Sequence, residues 1–347
     1  MRIALAQINT TVGDLNGNTK KIIDRIEAAK KKKADLVVFP ELAITGYPPK
    51  DLLLKKVFIL ETQNRLSEII QASSGIGVIV GGVSHWPGER TPIDVYDISM
   101  AAHFTGMTLT NTAFLLDNQK NIGTHEKIWL PSHDVFDEKR YFEPGKEIKI
   151  FPFRDKKIGI NICEDLWIDD GPTDQQVKKG ADIILIISAS PFFVGKWQVR
   201  KELVRKRAIA SNVPILYVNL VGGQDDLIFD GGSFACDNKG NLIGLTKHFA
   251  EDLLVIDLDS ARAIKDIVES EETEVFDALV LGLRDYVDKN RFPKVVLGLS
   301  GGIDSALVCV LAKEALGKDR VVGVVMPSPF SSESSVKDAY NLAQNLP

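Results

Sequence analysis

The sequence predicts an α/β protein: a layered arrangement of sheets and helices, followed by the beginning of a doubly wound parallel-sheet unit. Three observations predict it. Apolar runs of strand length alternate with amphipathic helical stretches from Met1 to Asp259, with β-hairpin signals among them. Composition shifts after Asp259 to a highly charged helical stretch. Beyond that, "KVVLGLSGGIDSALVCVLAKEAL" reads as strand, glycine-rich loop and helix, the way a doubly wound sheet opens.

The elements follow in chain order. "RIALAQIN" is a strand, and "NTKKIIDRIEAAKKKKA" an amphipathic helix that starts near Asn18 or Thr19. "DLVVFPE" is a buried strand stopped at Pro40, "DLLLKKVFILETQNRLSEIIQASS" a long helix, and "GVIVGGVS" the next strand. From Val95 to Thr124 the pattern turns β-rich, with a turn at "DNQKN". The strand "KIGINIC" precedes a helix, the strand "ADIILIISAS", the basic helix "KWQVRKELVRKRAIAS" and the strand "VPILYVNLVG". A hairpin around "DNKGN" and the strand "LLVIDLD" close this part. "SARAIKDIVESEETEVFDALVLGLRDYVDKN" is a linker plus an entry helix. One more strand, "RVVGVVMPS", follows the glycine loop and its helix. Two strands are few for a doubly wound sheet, so the second unit is expected to be cut short.

Composition narrows the function classes. The 347 residues are 44% hydrophobic and 26% charged, enough for a sizeable core. The net charge is −5 with Lys and Arg spread along the chain, which argues against nucleic acid as a partner. No apolar stretch approaches a membrane span, and "MRIALAQINT" is too brief for a signal h-region. Three cysteines without a CxxC spacing argue against a disulfide framework and a structural zinc, and point to a reducing compartment, the cytoplasm.

The stretch "GINICEDLW" poses a chemical question. Cys163 ends a strand, and two carboxylates follow it at once. Negative neighbours raise a thiol's pKa, the wrong direction for a nucleophile. Either Cys163 is an inert buried hydrophobe, as Cys236 and Cys309 are read to be, or groups elsewhere correct its surroundings. Two stretches supply such groups. "VVFPELAITGYPP" places Glu41 at the end of a buried strand, and "HEKIWLP" places Lys127 among apolar residues. Taken singly, Glu41 is a surface or capping carboxylate and Lys127 a snorkelling lysine. Taken together, the three make a mechanism: Glu41 takes the thiol proton, and Lys127 steadies the thiolate and the oxyanion of a tetrahedral intermediate.

"FPELAITGY", "HEKIWLP" and "NICEDLW" resemble the three signature blocks of the nitrilase, or carbon–nitrogen hydrolase, superfamily. The resemblance covers Met1 to about Asp259. It implies a four-layer α-β-β-α sandwich, a Glu41–Lys127–Cys163 triad, and amide hydrolysis through a thioester. A further carboxylate supports the triad in that superfamily, and Glu138 in "VFDEKRYF" is its candidate here, or else a plain surface residue.

The second constellation is "LGLSGGIDSA". Gly298, Gly301 and Gly302 lie between a strand and a helix, where backbone N–H groups and a helix N-terminus can face phosphate. Neither GxxxxGK[ST] nor GxGxxG is present. Ser300 to Ser305, SGGIDS, is a tight turn or a phosphate loop, and it resembles the pyrophosphate loop of ATP pyrophosphatases. That resemblance assigns ATP binding to Gly298, Leu299, Ser300, Gly301, Gly302, Ile303, Asp304 and Ser305, with Asp304 placed to hold Mg²⁺ beside pyrophosphate.

An amidase joined to an adenylating loop resembles the glutamine-dependent NAD⁺ synthetase family, to which "VFDEKRYFEPG", "ISASPFFVGK" and "MPSPFSSESSVKDAYNLAQNL" are also similar. The resemblance implies glutamine, ATP and deamido-NAD⁺ as substrates and a homo-oligomeric assembly. It divides the chain into a glutaminase domain over 1–259, a linker over 260–274 and the N-terminal part of a synthetase domain over 275–347. It assigns glutamine binding to His133, Ser190 and Lys196. His133 departs from the tyrosine usual in that segment and reads equally as a loop histidine. Glu164 is placed to bind the substrate's ammonium, or to cap a turn. The competing reading is a stand-alone amidase with a remnant nucleotide-binding tail.

Overall fold

The computed structural model describes residues 1–87, 100–266 and 270–346. They fall into two compact units: Met1–Val221 with the residues from Phe229 to 266, and Gly222–Ile228 with the residues from 270 onward. In chain order the elements are β1 (Arg2–Gln7), α1 (Leu15–Lys31), β2 (Leu36–Val38), α2 (Lys56–Ala72), β3 (Gly77–Pro87), α3 (Met100–Thr105), β4 (Met107–Asp117) and β5 (Lys120–Glu126). Next come β6 (Ile150–Phe153), β7 (Lys156–Ile162), α4 (Pro172–Lys178), β8 (Ile183–Ser188), α5 (Lys196–Ser211), β9 (Ile215–Asn219), β10 (Val221–Gln224) and β11 (Leu227–Asp230). The rest are β12 (Phe234–Cys236), β13 (Leu242–Leu245), β14 (Asp252–Asp257), α6 (Glu271–Lys289), β15 (Val295–Gly298), α7 (Ile303–Leu316), β16 (Val321–Val324) and α8 (Glu333–Asn345).

The first unit holds two six-stranded sheets of matching design. One runs β14-β1-β2-β3-β4-β5, the other β13-β12-β9-β8-β7-β6. Each has a parallel centre, β1-β2-β3 and β7-β8-β9, flanked by antiparallel strands. Parallel strands buried on both faces read as continuous apolar runs, which is why "IILIIS" of β8 shows no alternation. Ile3, Leu5, Leu36 and Val38 of the first sheet pack against Ile158, Ile160, Leu185 and Val218 of the second. The outer face of the first sheet is covered by Ile22, Ile26, Leu66 and Ile69 of α1 and α2. Trp197, Val204 and Ala208 of α5 cover that of the second. The result is the expected α-β-β-α order of layers.

In the second unit, β15 and β16 pair in parallel from Val295↔Val321 to Gly298↔Val324, with α7 between them in sequence. Strand, loop, helix and strand thus fall where the sequence places them.

Three local readings need correction. Helix α1 begins at Leu15, not near Asn18 or Thr19, because Asp14 caps it by accepting from the Gly17 N–H at 2.9 Å. Asn18 lies inside the helix with its side chain spent on the Thr11 and Ile44 backbone. The long helix over "DLLL…QASS" is two pieces, a 3₁₀ turn at Lys50–Leu54 and α2, since Lys55 between them is extended. The β-rich stretch contains helix α3 just before β4, while its first residues, 95–99, lie outside the described residues.

Candidate active site

Open α/β sheets present functional groups where parallel strands end. Glu41 lies just past β2, Cys163 follows β7 directly, and Ser190 lies just past β8. Lys127 follows the antiparallel edge strand β5. Glu41 and Lys127 therefore come from one sheet and Cys163 from the other. Gly81 of β3 lets the first sheet pass close behind the Glu41 backbone, where a Cβ would lie 2.4 Å from the Leu42 nitrogen.

Glu41 and Lys127 are fully buried and Glu138 is 5% exposed. Lys127 Nζ donates to Glu41 Oε1 at 2.7 Å and to Glu138 Oε1 at 2.8 Å. Asn111 Nδ2 donates to Glu41 Oε1 at 2.7 Å and, more weakly, to Glu138 Oε2 at 3.4 Å. Tyr47 Oη donates to Glu138 Oε1 at 2.9 Å. The Ala189 N–H, from the end of β8, donates to Glu41 Oε2 at 2.9 Å. Buried charges persist only when paired and bonded, and each member of this cluster is. These bonds use two of the three Lys127 donors.

The electrostatics follow from this packing. Burial opposes the charge on Lys127, but Glu138, Glu41 and Cys163 outweigh it and hold the ammonium's pKa well above its ordinary value. Burial pushes the Glu138 carboxyl up to about 7, aided by Glu41 and opposed by Lys127. Burial and then Glu138 push the Tyr47 phenol well up, keeping it a donor. Cys163 is 4% exposed, and burial followed by Glu41 raises its thiol to about 12, against the pull of Lys127 and a hydrogen bond with Ser188. The expectation that Lys127 offsets the negative neighbours is thus met only in part. Its charge is shared with two carboxylates, and the resting thiol keeps its proton. Glu41 is close enough for its charge to raise the thiol.

Cys163 has φ +45°, a left-handed conformation that costs a non-glycine residue about 1–3 kcal/mol. It opens a 3₁₀ turn, Cys163–Leu166, in which the Asp165 side chain accepts from the Ile162 N–H at 3.2 Å.

His133, with its side chain 66% exposed, sets Nε2 3.8 Å from Glu164 Oε1. Lys196 Nζ sits 4.7 Å from the ring centres of both Trp167 and Phe193. Its pKa is lowered by burial first and then by Arg200, while Cys163 and Glu164 pull the other way. The Ser190 N–H donates to Asn219 Oδ1 at 2.9 Å. Asn219 in turn touches Asp230, which forms a buried ion pair with Arg200 one turn along α5 from Lys196.

Four residues of this site carry no role in the sequence reading: Tyr47, Asn111, Asp165 and Ser188. Tyr47 and Asp165 stand inside the blocks "FPELAITGY" and "NICEDLW", so adjacency was a signal. Asn111 gives no such signal: it sits among the threonines of β4, and only the fold reveals its burial.

In the second unit, Leu299 is buried against Cys309 and Ala339, while Gly298, Ser300, Gly302, Ile303 and Asp304 are exposed. The loop is knit internally. Gly302 N donates to Ser300 Oγ at 3.2 Å, Ser300 N to Ser305 Oγ at 3.3 Å, and Ser305 Oγ to Gly302 O at 2.9 Å. Gly301 has φ +80°, and a Cβ there would lie 2.2 Å from the Ser335 carbonyl oxygen. Among the described residues no group of three His, Cys, Asp or Glu side chains is placed to hold a metal ion. No described helix is long and apolar enough to cross a membrane. Cys236 and Cys309 are buried, as expected of small hydrophobes.

The two-sheet layering, with Glu41, Lys127 and Cys163 brought together at strand ends, is the scaffold of the carbon–nitrogen hydrolase class. The profile described as carbon-nitrogen hydrolase matches residues 2–266, and the chain belongs to that family. The profile described as NAD synthase matches residues 275–347. Over 99% of its length the chain is 40% identical to a glutamine-dependent NAD(+) synthetase of Synechocystis sp., covering 62% of that protein. Over its whole length it is 38% identical to one of Thermotoga maritima, covering 64%. The chain thus spans a little over three-fifths of these curated relatives. The solved glutamine-dependent NAD+ synthetase of Acinetobacter baumannii, in complex with ADP, superposes with a TM-score of 0.88 at 36% identity, over 99% of this chain and 63% of that one. An amidase from Nesterenkonia sp. AN1 shares the fold of the first unit, with a TM-score of 0.62 at 23% identity over 74% of this chain.

Proposed function

We propose that this chain carries the glutaminase half, and the first part of the synthetase half, of a glutamine-hydrolysing NAD⁺ synthetase. The observation that carries the reading is the joint presence of the buried Glu41–Lys127–Glu138–Cys163 cluster and the SGGIDS loop on one chain. Residues 1–259 form the glutaminase domain, 260–274 the linker, and 275–347 the beginning of the synthetase domain.

In the first half, Glu41 takes the Cys163 proton as Sγ attacks the side-chain amide carbon of glutamine. Lys127 and its remaining N–H stabilise the oxyanion, and Glu138 and Tyr47 hold Lys127 in place. The Glu41 proton passes to the leaving nitrogen, and ammonia departs. Water, deprotonated by Glu41, then cleaves the thioester to glutamate and free thiol. Glu164 binds the substrate ammonium, and Lys196, Ser190 and His133 the rest of the amino-acid moiety.

In the second half, the N–H groups and hydroxyls from Gly298 to Ser305 bind the ATP phosphates. Asp304 is an exposed carboxylate at the start of α7, which suits Mg²⁺, an ion that takes one or two carboxylates plus phosphate oxygens. ATP activates the deamido-NAD⁺ carboxylate as an adenylate with release of pyrophosphate, and ammonia displaces AMP. The chain works as a homo-oligomer in the cytoplasm, and no nucleic acid takes part. The test is glutamine-driven NAD⁺ formation by the complete protein. Cys163→Ala should remove it while sparing synthesis from added ammonia; equal loss of both in a folded protein would overturn the division of labour.

A further inference from the structure

Lys127 and Cys163 come from different sheets, yet the chemistry needs them in one place to within a fraction of an ångström. The Glu41 cluster reaches the second sheet only through the Ala189 N–H after β8, and its hydrogen bonds do not hold the turn that bears Cys163. Asp165 does. Its carboxylate is fully buried, two residues after Cys163. Oδ1 accepts the backbone N–H groups of Ile128 at 3.1 Å and Trp129 at 2.9 Å, the two residues that follow Lys127. Oδ2 accepts the Ile162 N–H at 3.2 Å, the residue before Cys163, and faces His125 Nε2 at 3.1 Å, two residues before Lys127. One carboxylate therefore holds the chain on both sides of Lys127 and the turn that holds Cys163 in its left-handed conformation. His125 is itself fully buried, and its Nδ1 has no hydrogen-bond partner. Its polar contact in the structure is with this carboxylate, so Nε2 is the donor.

We infer that Asp165 is a positioning residue: with His125 as its outer arm, it clamps the segment bearing Lys127 to the turn bearing Cys163 and sets the geometry of sulfur attack. The inference rests on the reading of Cys163 as the nucleophile. An Asn at 165 retains an oxygen for Ile128 and Trp129 but presents N–H groups where Ile162 and His125 donate. A Leu at 125 removes the arm, and a Gln restores an N–H at that place.

The experiment uses the full chain as wild type, Asp165→Asn, His125→Leu and His125→Gln. It measures alkylation of Cys163 by iodoacetamide, located by peptide mass spectrometry, alongside kcat and KM for glutamine and Tm. Asp165→Asn should slow both alkylation and kcat on the order of 10- to 100-fold, as expected for sub-ångström misplacement, with KM little changed. His125→Leu should show a smaller loss in the same parameters, and His125→Gln should recover most of it at the same Tm. A merely structural role would lower activity only in step with the folded fraction. If Asp165→Asn does not fold, the histidine pair decides. Wild-type alkylation rates in folded Asp165→Asn or His125→Leu, or equal rates in His125→Leu and His125→Gln, overturn the inference. A wild-type chain that alkylates in a Glu41-dependent way but hydrolyses no glutamine refutes the glutamine reading and leaves the clamp standing.

Discussion

Around Cys163, the side chains of Glu41, Lys127, Glu138 and Tyr47 are out of water and bonded to one another. In the loop after β15, the polar groups from Ser300 to Asp304 are in water, and the hydroxyls bond within the loop. The first region holds its charged groups in fixed positions, and burial gives them leverage over a thiol proton. The second holds hydroxyls and amides that must turn from each other toward an incoming anion. Covalent chemistry on an amide needs preset charge, whereas binding a charged nucleotide leaves the ligand to bring its own. The two regions should therefore fail differently when mutated.

The largest difference should appear in Cys163→Ala. Removing one member of an interdependent catalytic set costs about four orders of magnitude or more in rate. Glutamine hydrolysis should vanish in a protein with a wild-type circular dichroism spectrum, while Ser300→Ala leaves hydrolysis unchanged. Residual hydrolysis within tenfold of wild type would remove Cys163 from the mechanism.

Lys127→Met should be the most destabilising change at either region. It strands two buried carboxylates, a loss of about 3–5 kcal/mol, readable by urea titration. Adding Glu138→Gln should return part of it, because one stranded carboxylate becomes neutral. Additive losses in the double variant would show that the cluster is not held together by charge.

In the loop, Gly301→Ala forces a Cβ against the Ser335 carbonyl at a left-handed residue. ATP affinity of the complete protein, by calorimetry, should drop about tenfold, in keeping with about 1–3 kcal/mol of backbone strain, with glutaminase activity untouched. Loss of both activities would mean the two regions are not separable.

The pH dependence of stability sharpens the contrast further. The folded Glu138 carboxyl is raised to about 7 from an ordinary 4.5. Between those values the folded chain binds a proton that the unfolded chain has lost, so this group's stabilisation is full below about 4.5 and fades as pH rises through about 7. Tm of the wild type should fall over that window relative to Glu138→Gln. Parallel curves for the two proteins would show that Glu138 titrates normally.

His133→Ala should have the smallest effect. Its ring is mostly exposed and lies at 3.8 Å from Glu164, and exposed polar contacts are worth at most about 1 kcal/mol. KM for glutamine should rise about two- to fivefold with kcat unchanged.

Much of this was legible because the informative residues are local in sequence. Strand ends carrying Glu41 and Cys163, and the loop between β15 and α7, announce themselves through apolar runs stopped by polar or glycine residues. The layer order came from the family resemblance, and the sheets bear it out. What stayed hidden is what depends on distant pairing. Asn111 belongs to the site because β4 lies beside β3, and Asp165 because the second sheet faces β5. The start of α1 was misplaced because Asn18 looks like a cap but spends its amide on another segment. Periodicity cannot see that kind of long-range satisfaction.

The donor to Glu41 Oε2 is the peptide group of Ala189, at the end of β8. A main-chain donor is written by the path of the chain and not by a codon. Every amino acid but proline supplies it, so inheritance can vary this residue without erasing the contact. Its limit is room, since Ala189 is fully buried. A saturation scan read only for sensitive positions would pass over 189 wherever small residues survive, and would register the contact as a single forbidden letter, proline.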